Sequence, residues 1–327
     1  MVCILYVIAV GTLLGLAGMV VERMLPPTTT ARRWIWCSVI GTSIIVPPVY
    51  RANHTSSITD LLRDQAAGDG LGHALATSSL GIFDPAWWQQ TLSWSGTISQ
   101  VWLIGSATLV IWGVLTAARI AVLMRQSRGT TSAPRDVIDG VPVLVTDSIG
   151  PATVGVIRSR VVVPRWVLAL PGVQRKYVLR HEEEHRKSHD SLLLFVASLT
   201  LLLTPWNLAL WWQLRRLRLA VEMDCDNRVV SALGDPGTYG ELLFKVAQAS
   251  SRGPRLQPAF LGAGLLERRL TALVAPAPLR RAQKFILPVL ACVLLFIVIS
   301  MPHPVVGSKS HEHAATASAT PHSSLTR

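Results

Sequence analysis

The chain has 327 residues, room for one or two domains, with 31 Lys and Arg against 19 Asp and Glu and a formal net charge of +12. Half of its residues are hydrophobic, only 15% are charged, and mean hydropathy is +0.40, above most soluble proteins. Cys3, Cys37, Cys225 and Cys292 lack any paired spacing, which excludes a disulfide framework or zinc knuckle. No DNA- or RNA-binding motif accompanies the positive charge, and the cations sit beside apolar segments, where anionic lipid attracts them.

In chain order, residues 3–21 form the first apolar run. They lack a basic n-region and a small-x-small cleavage site, so a retained span is expected and not a signal peptide. Residues 34–50 predict a second, shorter span broken near its end by Pro47-Pro48. The loop 51–100 carries Trp87, Trp88 and Trp94, which suit an interfacial belt. Residues 101–118 predict a third span, and 126–140 a linker into a separate domain. Val141–Val145 and Arg160–Val163 are β-branched enough for short strands, which either pack a helix or pair with an extended substrate. Residues 285–301 predict a fourth span. The tail, 302–327, is rich in Ser, Thr, Ala and His and reads as disordered, with His311 and His313 solvated.

His181-Glu182-Glu183-Glu184-His185 carries the chemistry. Residues four apart share a helix face, so His181 and His185 can present two imidazoles to one ion. Glu182 can then reach a water without itself binding the ion. Zinc lowers the pKa of its water to about 7, and a carboxylate can take the proton as a polarised carbonyl is attacked. The run also suits a plain solvated face. However, the helical pattern continues from Gln174 through the motif into Ser191–Leu194, so one long helix without a breaker is expected.

Two histidines need a third protein ligand. His189 lies about 12 Å along the axis from His181, too far for one ion. Glu222 is the better candidate, with Asp226 four residues on to hold a histidine's other nitrogen, and Asp190 as a second such orienting group. Cys225, inside that motif, reads as a small buried residue. Both motifs must meet one ion, so the apolar run 191–212 between them has to return to the side it left. A membrane-dipping helical hairpin is expected, broken at Thr204-Pro205.

The pairing of HEEEHRKSHD at 181–190 with VEMDCDNRVV at 221–230 resembles the membrane zinc peptidases of the β-lactam-sensor (BlaR/MecR) family, which are gluzincins. Pro205-Trp206-Asn207 at the break, Gly155–Pro164 upstream, and Tyr239-Gly240-Glu241 and Leu266–Leu270 downstream are similar to that family as well. The resemblance runs roughly from residue 1 to 301. Penicillin-sensing members carry a long extracellular domain after the last span, and about 25 residues follow it here. Acylation by a β-lactam in their manner is therefore not expected.

The expected protein is mainly α and polytopic: four transmembrane helices plus a cytoplasmic gluzincin-like α+β zinc peptidase domain with a small sheet. Residues 1–124 would hold three spans, 125–284 the peptidase domain with the hairpin near 191–212, 285–301 the fourth span, and 302–327 the outer tail. Arg119, Arg125, Arg128, Arg135, Arg280, Arg281 and Lys284 place the domain in the cytoplasm of a bacterial-type cell (inner) membrane by the Lys/Arg rule, with the N-terminus and loop 51–100 outside. Zinc would sit on His181, His185 and Glu222, with Glu182 as base. The resemblance implies a polypeptide substrate, either a cytoplasmic transcriptional repressor or the chain itself. Lipid contacts are expected, direct nucleic-acid contacts are not, and homodimerisation is left open. The rival is a non-catalytic transducer or scaffold with a structural zinc site.

Overall fold

The apolar runs become helices, because a helix satisfies its own backbone groups. A computed structural model describes residues 2–25, 31–55, 96–130, 136–146, 150–250, 264–274 and 281–301. Most of the loop 51–100 and the whole tail lie outside these, as do Trp87, Trp88 and Trp94. Among the described residues, three helices are long and apolar enough to cross a bilayer. They are Ile4–Met24 within α1 (Val2–Met24), Gln100–Leu123 within α3 (Gly96–Thr130), and Ala282–Ser300 within the last helix, Arg281–Ser300. The expected second span falls short on composition. It lies in α2 (Ala31–Thr55), flanked by Arg32, Arg33 and Arg51, and the helix runs on through Pro47 and Pro48. α2 packs one face against α1, with Trp36 and Ile40 buried, and exposes Trp34 and Ile45 on the other.

Close approach holds this bundle together. A Cβ on Gly15 would stand 2.2 Å from Trp212 Cζ3, so only glycine lets α1 close on the helix that carries Trp212. The fully buried Gln213 ties three elements at this level: its Nε2 donates to Gly11 O at 2.7 Å and to Ser43 Oγ at 3.0 Å.

After α3 comes a four-stranded sheet in the order β1-β2-β4-β3: β1 (Asp136–Ile138), β2 (Val141–Thr146), β3 (Ala152–Val154) and β4 (Arg160–Pro164). β2 and β4 run parallel, with Val143 opposite Val161, and β1 and β3 are antiparallel edges. The two expected strands are β2 and β4. The expected linker, 126–140, instead ends in β1 and a two-residue turn at Asp139-Gly140, both with positive φ as tight hairpins require.

The helices α4 (Arg165–Leu168), α5 (Gly172–Lys187), α6 (Asp190–Leu203), α7 (Leu208–Leu233), α8 (Pro236–Ser250), α9 (Leu265–Val274) and α10 (Arg281–Ser300) follow. Two apolar cores share α7. Leu210, Leu214, Leu217 and Val221 pack with Trp36, Ile40 and Leu201 in the bundle. Cys225 and Val229 pack with Val161, Val163, Leu179 and Tyr239 in the domain built on the sheet.

The expected unbroken helix from Gln174 to Leu194 is divided. α5 ends at Lys187 and α6 begins at Asp190, because His189 adopts a left-handed conformation (φ 55°, ψ 34°). α6 and α7 then form the expected helical hairpin. Asn207 caps α7, its Oδ1 accepting from Ala209 N at 3.0 Å. Trp102 Nε1 and Ser106 Oγ of α3 each donate at 2.8 Å to the tip, at Leu203 O and Leu202 O.

The bend at His189 is testable. A left-handed backbone costs an L-residue about 1–2 kcal/mol and glycine nothing. Full-length H189G is expected to melt at or above wild type in detergent, whereas H189V melts lower. Equal melting of the two would remove the conformational argument.

Candidate metal centre

α5 presents His181 and His185 one turn apart on one face, towards α7. His185 Nδ1 donates to Asp190 Oδ2 at 2.8 Å, a contact made by the turn at His189, which swings the start of α6 back over the end of α5. Tyr239 of α8 donates its hydroxyl proton to Asp226 Oδ1 at 2.6 Å, so its oxygen accepts from His181 Nδ1 at 2.9 Å. Each Nδ1 is thereby held as a donor, which leaves each Nε2 as the nitrogen that gives up its proton to an ion. Those two Nε2 atoms face each other at 3.1 Å. Two lone pairs at that distance repel unless a cation or proton stands between them.

Glu222 Oε2 lies 3.7 Å from His181 Nε2 and 3.8 Å from His185 Nε2. A tetrahedral ion with bonds of about 2.0–2.2 Å separates its donors by roughly 3.3–3.6 Å, so the triangle has the right size for one ion. The three side chains are 13%, 13% and 17% exposed, leaving one side open. Cys225 competes for the third place: its Sγ, His181 and His185 offer donor atoms within 4.8 Å of one another. Yet Cys225 is fully buried, and its Sγ lies 3.3 Å from His181 Nδ1, the nitrogen already held by Tyr239. Glu222 faces the free nitrogens and Cys225 the occupied one, so the geometry favours Glu222.

Arg269 of α9 balances the carboxylates. It reaches Asp226 twice, at 2.7 and 2.8 Å, and Glu222 Oε2 at 3.0 Å. Burial would raise the Glu222 pKa, but Arg269 and the two histidines hold it well below the usual range. Burial likewise opposes charge on His181, and Cys225 and Glu222 outweigh it, pushing its pKa up to about 10. His185 is also raised despite burial, chiefly by Asp190 and Cys225. The site draws positive charge strongly, as a cation-binding donor set should.

The predicted residues therefore come together, with differences in detail. Glu182 is buried beside Thr153 of β3, whose Oγ1 donates to Glu182 O at 2.7 Å and lies 3.1 Å from Oε2. Asp226 is 3.5 Å from His181 Nδ1 and acts on it through Tyr239, which is closer to both. His189 is exposed and belongs to the bend, in keeping with its exclusion as a ligand. Nothing in the local spacing assigns roles to Thr153, Tyr239, Arg269 or the arginines around Asp190, which meet the site across long separations. Tyr239 and Arg269 lay in stretches similar to the sensor family, a signal that marks position and not contact.

The profile of the BlaR1 peptidase M56 family matches residues 3–273. The chain belongs to that family. A curated relative, the regulatory protein BlaR1 of Bacillus licheniformis, is 28% identical over 111 residues, 33% of this chain and 18% of that protein. The match thus spans under a fifth of the relative's length. No solved structure matches.

Protons and a metal ion compete for the same nitrogens. Because His181 holds its proton up to about 10, zinc added to the chelator-stripped M56 protein near pH 7 is expected to displace protons. Apparent affinity should climb as pH rises towards 10 and flatten beyond. An affinity unchanged between pH 7 and 9, followed with an indicator chelator, would contradict this arrangement of charges.

Proposed function

We propose that this family member is a membrane zinc endopeptidase that cleaves a polypeptide on the cytoplasmic side in signal transduction. Zinc would be held by His181, His185 and Glu222. The observation that carries the reading is the pair of Nε2 atoms 3.1 Å apart with Glu222 facing both. Bound there, zinc would polarise a scissile carbonyl and acidify the attacking water. Glu182 takes that water's proton on its carboxylate and passes it to the leaving amine. Thr153 restrains the Glu182 carboxylate, while Asp190 and the Tyr239–Asp226 pair keep the imidazoles turned inward. β3 is the sheet edge beside this helix, so an extended polypeptide adding to it would run past Glu182.

One feature supports the cytoplasmic side. The hairpin tip meets α3 near Trp102–Ser106, so the metal motifs lie towards the opposite end of that span, where Arg119 and Arg125 follow. Leu192, Phe195, Val196, Leu199 and Leu208 are exposed on the hairpin, as lipid contact requires. The substrate would be a cytoplasmic repressor or the chain itself. The rival reading, a structural zinc in a non-catalytic transducer, draws on Cys225 as an extra ligand.

Glu182→Gln keeps the side chain's size and removes the base. Zinc content is expected to stay while hydrolysis of an unfolded protein substrate falls about 100- to 10,000-fold. Wild-type cleavage by this variant would sink the catalytic reading.

Side is tested by impermeant cysteine labelling in a background lacking the native thiols. Probes at residues 60 and 90 should react in intact cells, and probes at 130, 187 and 227 should not. Reaction of 187 and 227 from opposite sides would make a shared ion impossible.

A further inference from the structure

Asp190, which orients His185, is 2% exposed and lies beside another buried carboxylate, Asp224, at 3%. Two guanidiniums reach this pair among the described residues. Arg228 of α7 approaches Asp190 Oδ2 at 3.7 Å and Asp224 Oδ2 at 3.6 Å, and it also serves Glu184 at 3.5 Å. Arg33 comes from α2. Its Nη1 is 3.2 Å from Asp190 Oδ1 and 3.4 Å from Asp224 Oδ2. Asp190 thus has one oxygen on His185 and the other on Arg33, a residue 157 positions away in an element outside the peptidase domain.

α2 is not free to drift at this level. Three residues on from Arg33, the fully buried Trp36 donates its Nε1 to Glu22 of α1 at 3.1 Å. Glu22 in turn takes Arg216 of α7 at 2.5 Å, and the Arg216 guanidinium lies over the Trp36 ring, 5.4 Å from its centroid. Arg32 Nη2 donates to Leu25 O, at the end of α1, at 3.2 Å. The first turns of α2 are therefore clamped between α1 and α7, and Arg33 projects from this clamp onto the carboxylate behind the metal centre.

We infer that Arg33 is a positioning residue for the metal centre: it holds Asp190, and through it His185, so the site is complete only when α2 is seated against α6 and α7. This rests on the zinc reading above. It adds a route by which packing in the membrane bundle reaches the metal. One residue of axial slip is about 1.5 Å and one residue of rotation about 100°, and either would take Arg33 off Asp190. Asp190 and Asp224 would then share Arg228 alone, and the Asp190 carboxylate would turn towards Arg228 and away from His185. A signal that moves α2 would loosen zinc without touching a ligand.

The test uses the full chain, purified in detergent and loaded with zinc, and reads zinc retention against a chelator. Partners that orient a metal-binding histidine change affinity about 10- to 100-fold when removed. Arg33→Gln is expected to lose zinc more readily by that factor, and Arg33→Lys by less. Asp190→Asn should do as much harm as Arg33→Gln, and the double variant no more than Asp190→Asn alone. Arg33→Met, which keeps the stem, stands in if Arg33→Gln does not fold. Wild-type retention in the Gln or Met variant overturns the inference, as do penalties that multiply in the double variant. Because retention and not turnover is read, a chain that holds zinc but never cleaves would remove the peptidase reading and leave this one standing. A wild-type chain that takes up no zinc would end both.

Discussion

Carboxylates buried beside two imidazoles persist only where cations face them, and that need decides which helices must meet. Asp226 and Glu222 require Arg269, which brings α9 against α7. Asp190 and Asp224 require Arg228 and Arg33, which bring α2 against the start of α6. Removing one partner from a fully buried pair costs about 3–5 kcal/mol, less here because Arg33 is 15% exposed. Even the discounted figure is a sizeable part of the roughly 5–15 kcal/mol that holds a domain folded. The ligands therefore take much of their order from charge balance as well as from their own packing.

Continuity of α7 gives that balance its location. One helix of 26 residues runs from the bundle core into the sheet domain, and Glu222 lies where the first core ends at Val221 and the second begins at Cys225. A ligand at such a junction is held by both cores at once. The open side, where His181, His185 and Glu222 keep some exposure, can exist there because neither core closes over it.

Much of this was legible in the chain because helical spacing is local. The four-residue separations in His181–His185 and Glu222–Asp226 put each pair on one face, and the need to bring both motifs to one ion demanded the hairpin. The rest depends on distance. Tyr239 meets His181 across 58 positions and Arg269 meets Asp226 across 43, and neither residue type announces a partner. The bend at His189 has no sequence signal because histidine is no helix breaker; the backbone turns there to deliver Asp190. α2 reads as a span because its apolar run is real, but nothing in that run announces that Arg33 at its start meets Asp190 across 157 positions.

The hairpin tip also depends on an element made before it. The carbonyls of Leu202 and Leu203, at the last turn of α6, have no helical partner of their own and take protons from Ser106 and Trp102. In hydrocarbon those oxygens would find nothing else to bond. α3 precedes α6 in the chain, so the donors are already synthesised when the tip emerges. Sequence order thus supplies the donors before the acceptors they satisfy.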